Sequence, residues 1–349
     1  MTSPKQTTLA ITGVTGFLGG HMTLEALRRG YRVRGTLRSM KRADGVRSML
    51  AAHLGDGAEA TLARLTFHEA DLLSPGGWVD IVTGCDAVLH VASPFPMNLP
   101  KDEQDIISPA RQGLKHVFEA CATAGVKRLV QTSSTVAIVY GHGKDKTAFD
   151  EQHWTQLDGG MLTPYIKSKT LAEQDLWMMA KQHPDMSVSA VNPGFILGPL
   201  LDSNDPGTSC DVVLKMMRGE FPGVPKLGYP TVDVRDVVDL HFAVLEDQHA
   251  AGQRFAAAAG TLPLQELAKT IKGAFPQEGR KVGTRSLPNG VVRAMAIVMK
   301  SVRGTLAELG YMPTVSSDLA RKRYGWNPRS PQEAATATAQ SIIDLDYIK

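Results

Sequence analysis

The sequence predicts an α/β fold: a doubly wound parallel sheet over residues 1–193, then a smaller lobe over residues 194–349 whose strands and helices are free to cross back to the first domain. Three observations point there. Short apolar runs of strand length alternate with helix-length amphipathic segments through the first part. The first such run leads without a gap into a glycine turn and then a helix. Beyond Pro199 the texture changes to Pro- and Gly-rich loops between short helices.

Composition sets the outer limits. With 349 residues, 43% of them hydrophobic, the chain can bury the core of one large domain or two small ones. A net charge of +3, with Lys and Arg dispersed, excludes a nucleic-acid binder. Cys85, Cys121 and Cys210 are far apart and lack CxxC or Cys/His spacing, so they read as buried or free thiols in a reducing compartment, with no metal site. Residues 1–6 leave no room for a signal peptide. The most apolar later run, residues 291–299, is broken by Arg293 and falls short of the roughly 20 residues a membrane span needs. A cytoplasmic chain without a membrane segment is expected.

Taken in order, Thr8-Leu-Ala-Ile-Thr12 is a strand, Gly13-Val-Thr-Gly16-Phe-Leu-Gly19 the turn, and a helix runs from Phe17 to Arg28 and Arg29, stopped by Gly30. That context makes the turn a phosphate site, because exposed backbone N-H groups and the helix N-terminus attract a pyrophosphate. Together these features describe a Rossmann-type fold. Residues 31–37 alternate as a second strand. At its end an NAD enzyme carries a carboxylate for the ribose 2′-hydroxyl; here stand Arg38, Lys41 and Arg42, which suit a 2′-phosphate and so NADP(H). Residues 65–70 form a third strand, ending in Asp71 and Leu72, where an acid can accept from the adenine amino group. Residues 86–92 form a buried fourth, 109–124 a helix, and 128–132 a fifth strand that delivers Ser133 and Ser134 to a C-terminal edge. Residues 187–191 make a sixth. In the second lobe, 200–209 and 221–231 read as loops, and 236–245, 264–273 and 331–343 as helices.

The chemistry falls on Thr163-Pro-Tyr165-Ile-Lys-Ser-Lys169. Thr163 caps a helix that starts at Pro164 and runs to about His183. Tyr165 and Lys169 lie one turn apart on one face, and the ammonium is expected to lower the phenol pKa toward working pH. A hydride arriving at a carbonyl carbon leaves charge on the oxygen, so the site needs a donor and an acid there; Ser134 and Tyr165 fill those roles.

The ordered set Thr12-Gly13-x-x-Gly16-x-x-Gly19, Ser134 and Tyr165-x-x-x-Lys169 resembles the extended short-chain dehydrogenase/reductases. Within them it is most similar to the dihydroflavonol 4-reductase and methylglyoxal/carbonyl reductase branch, through His90-Val-Ala-Ser-Pro94, Thr132-Ser-Ser134, Asn192-Pro193, Gly198-Pro199, Thr208-Ser-Cys210 and Val232-Asp-Val-Arg-Asp236. The resemblance implies that Tyr165 gives the proton, Lys169 holds the nicotinamide ribose and Ser134 binds the carbonyl. It implies a cradle of Gly13, Thr15, Gly16, Phe17, Leu18 and Gly19, and a 2′-phosphate clamp of Arg38 and Arg42. Asp71 and Leu72 would flank the adenine, and Pro193, Ile196 and Ser209 would line the nicotinamide end. The position of the family's relay asparagine corresponds to Gln112.

Pocket candidates are Phe95, Met97, Val139, Tyr140, Phe195, Leu200 and Tyr229, with Leu201, Met216 and Val224 nearby. Singly each is an ordinary core residue; together they suggest an apolar or aromatic ketone or aldehyde, reduced to the alcohol or formed from it. A 3β-hydroxysteroid-type dehydrogenase wants the same cleft. A nucleotide-sugar epimerase or dehydratase is disfavoured because Ser189, Ala190 and Val191 stand where such relatives carry an arginine. A non-catalytic NADP(H) sensor is disfavoured by retention of Tyr165 and Lys169. The expected partner is a small molecule, and the protein itself a monomer or homodimer.

Overall fold

The structure, a computed structural model, describes residues 6–93, 102–204, 207–298 and 305–348. In chain order the strands are β1 Thr8–Ile11, β2 Arg32–Leu37, β3 Leu65–Glu69, β4 Ala87–His90, β5 Arg128–Thr132 and β6 Ala148–Phe149. They continue as β7 Ser187–Pro193, β8 Phe195–Leu197, β9 Val224–Pro225, β10 Gly228–Asp233, β11 Arg254–Ala257 and β12 Gly260–Pro263.

Seven strands form one sheet in the order β11-β7-β5-β4-β1-β2-β3. The pairings from β3 across to β7 are parallel. The chain builds outward from β1 to β3, then returns to β4 on the other side of β1, so the switch point lies at the C-terminal ends of β1 and β4. Strands β4 and β5 are buried along their whole length, which is why Ala87-Val-Leu-His90 reads as continuous rather than alternating.

The chain divides into two units and passes between them several times, one passage falling at Val191 and Asn192. One unit takes Met1–Ser133, Lys167–Val191 and Val238–Phe255; the other takes Ser134–Ile166, Asn192–Val237 and Ala256–Lys349. In the first unit, Ala10, Val88, Leu129 and Val188 of the sheet pack with Leu114, Val117, Phe118 and Leu176 of the helices Gln104–Thr123 and Pro164–Gln182. The sulfurs of Cys85 and Cys121 are buried in this cluster as thiols, and Cys210 is a buried thiol of the second unit.

In the second unit β10 lies between β8, to which it is parallel, and the antiparallel β12. Ile138, Val139, Tyr140, Phe149, Ile166 and Tyr311 form a separate core. Two sequence expectations give way. The stretch 221–231 contains the start of β10, and helix Gly207–Arg218 begins within the loop expected at 200–209. The helix expected from residue 109 starts earlier, at Gln104, and carries Pro109 inside it. The last helix, Pro331–Asp344, opens as anticipated, with Pro331 in its first turn and a capping box between Ser330 and Glu333. Among the described residues no helix is long and apolar enough to cross a membrane.

Candidate active site

The glycine turn is built by sterics. Gly13 adopts φ +75° and Gly16 N-H donates to Gly13 O at 3.1 Å. A Cβ on Gly19 would sit 2.0 Å from Gly13 O, so only glycine lets the Phe17–Arg28 helix approach the turn this closely. Gly16 differs: its dihedrals are ordinary (φ −90°, ψ 164°) and an added Cβ would meet nothing nearer than 3.6 Å. The helix has no side-chain cap and no acid in its first turn. Its first N-H groups, with Thr15, Phe17 and Leu18 around them, are thus suited to an anion, which fits the pyrophosphate expected here.

Arg38 and Arg42, beyond β2, are exposed. After β3, Asp71 Oδ1 accepts from Leu73 N-H at 3.0 Å, and His116 Nδ1 bonds Leu72 O at 2.8 Å. Leu72 also fills the notch at Gly113, where a Cβ would come within 2.9 Å of its own. The turn after β3 is therefore fixed by local bonds and packing.

Ser134 and Tyr165 belong to the second unit. Ser134 Oγ donates to Pro193 O at 3.4 Å and accepts from Val136 N-H at 3.3 Å, while its carbonyl accepts from Asn192 Nδ2 at 3.3 Å. Thr163 Oγ1 accepts from Ile166 N-H at 3.3 Å and caps the helix as its sequence position suggests. The surrounding protein pushes the Tyr165 phenol up to about 12, against a hydrogen bond with Ser134 that lowers it. The expected drop toward working pH is not present: desolvation of the phenolate outweighs every favourable contact. Pro193 closes β7, Ile196 pairs with Val232, and Ser209 lies in the first turn of the Gly207–Arg218 helix.

Lys169, one turn along the helix from Tyr165, belongs to the first unit. Burial lowers its ammonium to about 8. On β4, His90 is lowered to about 3, by burial first and the nearby Lys169 charge second, so it is neutral. The hydroxyl of Thr12 sits at the switch point and accepts from both Val91 N-H (3.0 Å) and Ala92 N-H (2.9 Å).

Glu173, 1% exposed, is held by Arg254 Nε at 2.6 Å, Trp177 Nε1 at 3.3 Å and Ser133 Oγ at 2.5 Å. The role of this pair is not legible in the sequence, because the pairing joins residues 81 apart. A carboxylate on the inner face of a helix was the available signal, since a buried charge demands a partner.

The pocket candidates separate. Val139 and Tyr140 are 1% and 3% exposed and belong to the second unit's core, as apolar side chains at a strand's sequel do when a layer covers them. Tyr140 and Tyr229 both donate their hydroxyls to the carboxylate of Glu308, at 2.5 and 2.8 Å. Leu200 is buried, with its N-H donating to Ser341 Oγ. Phe195 and Tyr229 remain partly exposed and stack with centroids 5.3 Å apart. Phe95 and Met97 lie outside the described residues. Gln112 is exposed on the outer face shared by the Gln104–Thr123 and Pro164–Gln182 helices, with Arg111 and Asp175 beside it. Among the described residues no cluster of His, Cys, Asp or Glu could hold a metal ion.

The family described as NAD dependent epimerase/dehydratase matches residues 9–258. Cinnamoyl-CoA reductase 2 of Arabidopsis thaliana is 34% identical over 272 residues, 77% of this chain and 78% of that protein. Dihydroflavonol 4-reductase of Solanum lycopersicum is 30% identical, over 78% of this chain and 71% of its own. Yeast methylglyoxal/isovaleraldehyde reductase Gre2, solved with NADPH, superposes with TM-score 0.78 at 23% identity, covering 98% of this chain and 100% of that one.

Proposed function

The chain belongs to the NAD dependent epimerase/dehydratase family, and from that membership we propose that it is an NADPH-dependent reductase of apolar or aromatic ketones and aldehydes. The observation that carries the reading is the hydrogen-bonded pair Ser134 and Tyr165 at the start of a helix whose next turn holds Lys169. Relatives named as reductases of cinnamoyl-CoA and of dihydroflavonols, both aromatic carbonyl compounds, support the substrate class. So does the partly exposed Phe195–Tyr229 stack.

NADPH, when bound, would supply a hydride to the carbonyl carbon. Tyr165 gives its phenol proton to the carbonyl oxygen, completing the alcohol, and the Ser134 hydroxyl hydrogen-bonds that oxygen as charge builds on it. Because the free phenol sits high, at about 12, it keeps its proton until the developing alkoxide takes it; the Lys169 charge then supports the phenolate left behind. The residues around Gly16 would hold the pyrophosphate, and Arg38 with Arg42 the 2′-phosphate.

The test is a panel of aromatic and aliphatic carbonyls and alcohols with NADPH and NADH, run on the wild type, Tyr165→Phe and Arg38→Ala. Tyr165→Phe is expected to lose about 10²- to 10⁴-fold in kcat/KM. Arg38→Ala should erode the preference for NADPH by roughly tenfold while sparing NADH. Unchanged turnover in the first variant, or equal affinities for the two nucleotides in the wild type, overturns the reading.

A further inference from the structure

A small cavity in the first unit lies between the C-terminal ends of β4 and β5 and the helices Gln104–Thr123 and Pro164–Gln182. It is lined among others by His90, Ser93, Gln131, Lys169 and Glu173. Its volume, about 20 Å³, admits one water and not two. Gln131, 8% exposed, donates through Nε2 to Thr132 O at 2.8 Å, while its Oε1 is buried and accepts no hydrogen bond from any described residue. An amide oxygen is not left this way without cost.

His90 supplies the complementary group. Thr12 Oγ1 already accepts two backbone N-H groups, so its own proton goes to His90 Nδ1 at 2.8 Å. The neutral ring must then carry its proton on Nε2, which makes that nitrogen a donor. The carboxylate of Glu173 is committed to Arg254, Trp177 and Ser133.

We propose that this cavity is a built site for a single ordered water, which donates to Gln131 Oε1, accepts from His90 Nε2-H and accepts from the Lys169 ammonium. Three partners are typical for a buried water. Gln131 and His90 thereby act as positioning residues for Lys169: they hold the water oxygen toward the ammonium and so favour its charged form. The charged and titratable groups around Lys169 are His90 from β4, Glu173 and Tyr165 on its own helix, and Arg254 from β11 through Glu173. The existence of the water is independent of the reductase reading; its effect on turnover rests on that reading.

Two measurements on the full-length protein test this. A crystal structure at a resolution that shows ordered water is expected to place one oxygen within hydrogen-bond distance of Gln131 Oε1 and His90 Nε2; a cavity without it overturns the site. The pH profile of kcat/KM then tests the role. Reduction needs Lys169 charged, so activity falls on the alkaline side as the ammonium loses its proton. Gln131→Met removes the acceptor and fills the space, and should move that limb down by about one pH unit. Gln131→Glu places a carboxylate there and should move the limb up. Shifts in opposite directions are beyond a merely structural effect, and either variant suffices if the other does not fold. An unmoved limb overturns the positioning role. If Tyr165→Phe retains full activity, the reductase reading fails while the crystallographic result stands by itself.

Discussion

His90 carries a charge only at a cost the fold does not repay, and this sets how the protein meets acid. Its folded value of about 3 lies below the ordinary histidine value of 6.5, so between those limits the unfolded chain binds the proton more readily. Stability therefore rises with pH through that window and is lost as pH falls through it. The full shift corresponds to about 5 kcal/mol. Urea unfolding from pH 3 to 7 is expected to show a steeper pH dependence in the wild type than in His90→Gln, which keeps a polar contact to Thr12 without titrating. The residue that matters here sits in a run of apolar neighbours, and its letter alone reads equally as a surface or a core histidine. Ser134, Tyr165 and Lys169 could be singled out as candidates in the sequence because their spacing along strand end and helix is local. The direction of the Tyr165 shift was not, since burial depends on what the rest of the chain lays over the phenol.

At the scale of elements the glycine turn offers a clean contrast. Gly19→Ala would drive a methyl into the backbone of Gly13, and is expected to lower both thermal stability and nucleotide affinity. Gly16→Ala has room and relaxed dihedrals, so the variant should melt near the wild-type temperature yet bind NADPH at least about tenfold more weakly, its methyl standing where the backbone must approach the pyrophosphate. Differential scanning fluorimetry and fluorescence titration separate the two. An affinity in Gly16→Ala equal to wild type would remove the turn from the cofactor site. Strand β5 was readable to the residue because Arg128-Leu-Val-Gln-Thr132 is bounded by a glycine-containing turn and a serine pair. The strand β10 was not, because Pro230 argues for a loop; Pro230 is tolerated since pairing with β8 begins only at Thr231, so its missing N-H leaves no gap on that side. Pro109 misled in the opposite sense by suggesting a helix start inside a helix.

For the whole molecule the buried pair of Glu173 and Arg254 is the decisive long-range link within the first unit, tying the Pro164–Gln182 helix to β11. Arg254→Met leaves a carboxylate stranded and should cost about 3–5 kcal/mol, whereas Arg254→Met with Glu173→Leu should recover much of it. Equal losses in the single and double variants, measured by denaturant midpoints, would assign the cost to packing instead of charge. Neither partner predicts the other in the sequence, and the same holds for the units: each is assembled from three separate stretches of chain.

That assembly has a consequence for biosynthesis. The outermost strand of the seven-stranded sheet, β11, is not translated until residues 254–257 leave the ribosome, after every other strand of that sheet has waited for it. Nascent chains arrested ahead of this point should stay open to protease, and those arrested far enough beyond it to clear the exit tunnel should become resistant in a single step.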